Sequence, residues 1–71
     1  MQAMYHFEGF TFFVKYDLES KTAEFTERRA LGTGRADLKS GDKILIKDKL
    51  PGLEEAQAKL FDIIIDAMKS N

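Results

Sequence analysis

Seventy-one residues, 44% hydrophobic and 32% charged with a formal net charge of −1, suffice for one domain (1–71) around one small core. The absence of Cys excludes disulfides and thiolate metal sites, and one His among scattered carboxylates makes no structural zinc set. No run approaches membrane-spanning length and the amino terminus lacks the basic-then-apolar pattern of a secretory signal. The expectation is therefore a cytoplasmic protein with no cofactor, membrane or small-molecule substrate, its marginal size supported by self-association as a homodimer.

In chain order, Met1 and Gln2 read as a frayed end. From Ala3 to Glu8, Tyr5 and Phe7 share one face of a strand, with Met4, His6 and Glu8 on the other. Glu8-Gly9 fits a two-residue hairpin better than a bulge, Gly supplying a positive φ. The next strand, Phe10 to Asp17, places Phe10, Phe12, Val14 and Tyr16 toward the core and Phe13 away from it. A polar turn, 18–21, leads to a return strand from Thr22 to Arg28 with Ala23 and Phe25 inward.

Arg29 to Asp42 carries Gly32, Gly34 and Gly41 and reads as a loop, with one helical turn near Ala36. Lys43 to Lys47 reads as a short edge strand guarded by lysines. Pro51 suits a first helical turn, and Glu54 and Glu55 follow where the helix dipole favours negative charge. The helix runs from Leu53 to Lys69. Leu53, Ala56, Leu60, Ile63, Ile64 and Ala67 form its stripe, and Phe61, Ile65 and Met68 widen it beyond what one sheet face needs. The fold class predicted is α+β, a three- to four-stranded antiparallel sheet with one C-terminal helix on one face.

That model leaves Phe13, Phe61, Ile65 and Met68 as apolar anchors for a partner, unless the 29–42 segment folds back over the helix flank. A second feature is electrostatic. Residues 28–49 hold seven basic and three acidic residues, a local +4, so the remainder of the chain carries −5. Arg28, Arg29, Arg35, Lys39, Lys43 and Lys47 are thus candidate contacts for phosphate or an acidic partner. Nucleic-acid binding, with Tyr5, Phe13 or His6 stacking on bases, is the alternative to protein binding. An ordinary solvated loop and edge strand explains the same charges.

Catalytic signals are slight. His6 has Glu8 two residues along the same strand face as its one candidate orienting carboxylate, and no nucleophile accompanies them. Gly32-Thr33-Gly34-Arg35 lacks the preceding strand, following helix and Lys-Ser/Thr pair of a phosphate loop. The reading is that the chain is not an enzyme.

The run Phe7-Glu8-Gly9-Phe10 through Tyr16-Asp17, the return strand Thr22 to Phe25 and the opening Leu53-Glu54-Glu55-Ala56 together resemble the HicB-type antitoxin domain. The pattern spans about two-thirds of the chain. Residues 29–42 are longer and more basic than that family's pattern, and its DNA-binding extension has no counterpart here. The resemblance implies a cytoplasmic domain that sequesters a small RNA-cleaving toxin through its sheet and helix flank. Both routes lead to a non-catalytic protein-interaction module, antitoxin-like or a phage-type inhibitor, that masks a partner's surface.

Overall fold

The computed structural model describes residues 1–70. Five strands, β1 (Gln2–Phe7), β2 (Phe10–Asp17), β3 (Thr22–Glu27), β4 (Gly34–Asp37) and β5 (Lys43–Ile44), form an antiparallel meander in chain order. Helix α1 (Leu53–Lys69) then crosses one face. The α+β class is as the sequence predicts, with one strand more than its upper count.

The first three strands follow the side-chain alternation. Glu8 and Gly9, with φ of 49° and 83°, close the hairpin in the left-handed conformation that matches strand twist, and Phe7 pairs with Phe10 across it. Phe12, Val14, Ala23 and Phe25 are buried inward, while Met4, Phe13 and Glu24 stand on the open face. The end of β1 is tied rather than frayed, since the Tyr16 amide donates to the Met1 carbonyl at 2.8 Å. Asp17 and Asp37 end their strands alike. The Oδ1 of Asp17 accepts the amides of Glu19 and Ser20, and that of Asp37 accepts Lys39 and Ser40.

Residues 34–37 depart from the loop and helical turn expected near Ala36. They form β4, with Ala23 opposite Ala36 and Phe25 opposite Gly34. Gly34 reads as a loop residue, yet a side chain there would meet Gln57 Oε1 at 3.0 Å and the Ile44 carbonyl at 3.1 Å. The glycine serves close packing, and pairing with β3 overrides its weak strand preference. β5 is shorter than expected because Gln57 intervenes. Its Oε1 accepts the Ile46 amide at 2.9 Å and its Nε2 donates to the Ile46 carbonyl at 3.0 Å, so a buried side chain takes the place of a strand neighbour.

The helix begins after Pro51, at Gly52, whose φ of 83° turns the chain without a side-chain cap. Its buried stripe is Leu53, Ala56, Gln57, Leu60, Phe61, Ile64 and Ile65. This is rotated from the expected one, leaving Ile63 half exposed and Ala67 exposed. Phe61 and Ile65 are therefore corrected from anchors to core. Phe61 is fully buried, its ring edge-on to Phe25 at 5.7 Å with the Lys43 ammonium 5.5 Å from its centroid. Leu38 is buried with them in the same core, so the 29–42 segment supplies the cover that a smaller sheet would lack. No helix among the described residues is long and apolar enough to cross a membrane.

Candidate interaction surface

The helix does not cover the sheet evenly. Its Lys59 reaches Glu8 at the β1–β2 turn (3.2 Å), and Ala67 borders the start of β1, so Ile63 between them lies on the flank turned toward β1. Beyond that flank Ala3, Tyr5 and Phe7 remain only half-buried on the inner face. Between β1, β2 and the last helical turns opens a mainly apolar groove of about 440 Å³, walled by Ala3, Leu18, Ile64, Ala67 and Met68. Tyr5 and Tyr16 also line it, their hydroxyls 2.6 Å apart. Burial, then the hydrogen bond and charge of Tyr5, push the Tyr16 phenol well above its ordinary value. The groove thus presents a hydrogen-bonded pair of tyrosine hydroxyls within an apolar wall.

On the opposite face Met4 and Phe13 are cross-strand partners, 57% and 47% exposed. Of the four expected anchors, Phe13 and the half-buried Met68 stay accessible, on opposite faces of β2, while Phe61 and Ile65 are enclosed. Sequence periodicity missed Leu18 and Ile63 as surface apolar residues. Leu18 sits in a turn, and Ile63 lies on the stripe's edge, where a small rotation decides burial.

The basic residues do not gather. Arg28 and Arg29 lie at the end of the sheet holding the β1–β2 turn, whereas Lys39 lies at the other end, beside the β2–β3 turn. Arg29 Nε is 3.1 Å from buried Glu27, and its guanidinium stands 5.5 Å from the Phe10 ring centroid. Arg35 stands opposite Glu24, itself opposite Lys15, which makes an alternating charge ladder on the open face. Lys43 is 3.8 Å from Asp62, and Lys47 is exposed.

Glu27 and Gln57 were invisible as buried groups, although both fall at inward positions, one strand-alternate from Phe25 and one at helical spacing from Leu53. Glu27 accepts the amides of Arg29 and Ala30 at 2.8 and 3.0 Å. Burial raises its pKa, but the Arg29 amide and guanidinium and the Ala30 amide outweigh that and hold it below the ordinary carboxylate value. Asp17 and Asp37 are held low as well, chiefly by the amides of Ser20 and Ser40.

The candidate catalytic set is not assembled. His6 Nδ1 lies 3.2 Å from Thr11 Oγ1, and Glu8 is engaged with Lys59. Gly34 belongs to a strand packed on Gln57, so residues 32–35 form no strand-to-helix phosphate cradle. Among the described residues no His, Cys, Asp and Glu cluster could hold a metal ion. No family model, curated protein or solved structure matches this chain.

Proposed function

We propose that this chain is a non-catalytic protein-interaction module that masks a surface of its partner with the β1 margin. The observation that carries this reading is the continuity there of an apolar groove with an unpaired strand edge. Leu18, Met68 and Ile63 supply apolar area, the two tyrosine hydroxyls supply polar orientation, and Met4 with Phe13 extends the surface around the edge. An antitoxin-like or inhibitor role belongs to this reading as its biological setting. Dispersal of the basic residues, three of them facing carboxylates, favours it over nucleic-acid binding.

The test is affinity capture from the source cells, with and without nuclease, using wild type and Leu18→Asp. Leu18 is 52% exposed, so a charge there leaves the core intact. A protein partner retained through nuclease and lost with Leu18→Asp is the expected result. Capture that vanishes with nuclease, or ignores Leu18→Asp, overturns the reading.

A further inference from the structure

The free edge of β1 has a particular chemical character. Along an antiparallel ladder, backbone groups alternate between facing the partner strand and facing outward. Because the Met1 carbonyl accepts the Tyr16 amide, Met1, Ala3, Tyr5 and Phe7 direct their N–H and C=O groups at β2. Gln2, Met4 and His6 therefore direct theirs outward, at the margin of the sheet. None of the six residues of β1 is charged and none is proline. Both are common devices for keeping an edge from pairing.

A second copy of the chain fits this edge. We infer that the protein forms a twofold symmetric dimer by antiparallel pairing of β1 with β1, centred on Met4. The inference rests on the β1 margin being the interaction surface and names the partner seated on its edge. In this register Gln2 faces His6 of the second copy, Met4 faces Met4, and His6 faces Gln2. Every outward backbone group of the strand then meets one, with roughly six inter-chain hydrogen bonds. Sliding by one pleat in either direction loses a pair.

The side chains suit the same register. Met4 from each copy meets on the open face, each flanked by its cross-strand neighbour Phe13, so the junction carries an apolar strip of Phe13, Met4, Met4 and Phe13. On the inner face Tyr5 comes beside Ala3 of the second copy, and the Ile63 flank of each helix turns toward the seam. Electrostatics also selects this edge, since self-pairing of β1 juxtaposes no like charges. Self-pairing through β5 would bring Lys43 and Lys47 of two copies together. Joining β1 to β5 would leave an unpaired edge at each end and so propagate rather than close.

Light scattering of the full chain tests this with three variants. Met4→Pro removes only an outward N–H, a position where proline is tolerated in an edge strand, and Met4→Lys sets two ammonium groups against each other. Ile44→Lys places the same charge on the other edge. Wild type should show twice the 8.1 kDa chain mass. Both Met4 variants should be monomers with unchanged far-ultraviolet circular dichroism, with dimer affinity weakened by roughly a hundredfold or more for Met4→Lys. Ile44→Lys should leave the dimer intact. Should Met4→Pro disturb the fold, Met4→Lys decides alone. A wild-type monomer up to the solubility limit overturns the proposal, as does a dimer that survives Met4→Lys or is lost with Ile44→Lys. A monomer whose partner capture still depends on Leu18 overturns the dimer alone. A dimer whose capture ignores Leu18→Asp overturns the masking role alone.

Discussion

At one edge of the sheet β1 offers six residues without charge or proline; at the other, β5 offers Lys43 and Ile44 before the chain turns away. The second edge is closed by side chains. Gln57 occupies the backbone of Ile46, and Lys43 leans over the Phe61 ring toward Asp62. Among the described residues no such side chain bonds the outward amides of Gln2, Met4 and His6. In a sheet this small, one helix cannot seal both margins, and the residues show which one is sealed. The sealed margin works as structure, and the open margin is the one we propose for association.

The largest effect should come from unsettling the closed edge at its base. Phe61→Ala removes the ring on which β3, the helix and Lys43 converge, costing about 3–5 kcal/mol. A domain this size has only about 5 kcal/mol to lose, so the variant should be largely unfolded by circular dichroism at room temperature. A folded variant that has merely stopped associating would restore Phe61 as a surface anchor and dissolve the contrast.

Next is Gln57→Leu, which keeps the volume but leaves the Ile46 amide and carbonyl without their buried partner. The expected loss is about 1–3 kcal/mol in urea unfolding, with faster exchange of the Ile46 amide. Unchanged stability would mean that Gln57 does not close the β5 edge.

A smaller effect comes from acid. Glu27, Asp17 and Asp37 all have folded pKa values held below their unfolded ones. Their contribution is fully present above the unfolded values, near about 4 to 4.5, and is lost as pH falls through the folded ones. The melting temperature should be level from pH 7 to about pH 5 with respect to these groups and fall below that. Glu27→Gln should lower it at neutral pH and flatten the acid limb. Since Glu27 holds Arg29, and Arg29 reaches the Gly9 carbonyl in the β1–β2 turn, acid should loosen that hairpin, as protonation of Asp37 should loosen the β4–β5 turn.

Much of the fold behind this contrast was legible in the sequence, the contrast itself was not, and the part that was hidden has identifiable causes. Alternation in Phe10–Asp17 and Thr22–Glu27 and the Glu8-Gly9 turn located the hairpins, because there local preference and tertiary pairing agree. β4 was hidden because Gly34 is demanded by the proximity of Gln57, which no local pattern encodes. The helix face was displaced because Gln57 counts as polar in any periodicity although it is fully enclosed. With that residue set inward, the stripe rotates toward Phe61 and Ile65 and away from Ile63. The expected site changed for the same reason. Of the anchors that remain accessible, Phe13 pairs with Met4 of β1, and Met68 lines the groove beside β1 as well as a smaller one beside Leu38 and Lys39.

The most direct measurement is residue-resolved amide hydrogen exchange across β1 at increasing protein concentration. Ala3, Tyr5 and Phe7 are bonded to β2 and should be protected at every concentration, whereas Gln2, Met4 and His6 should gain protection only as dimer forms. Protection of those three amides that rises with concentration, and disappears in Met4→Lys, is the predicted result. Amides of Gln2, Met4 and His6 that exchange freely at all concentrations would contradict the claim that this edge is the one left for association.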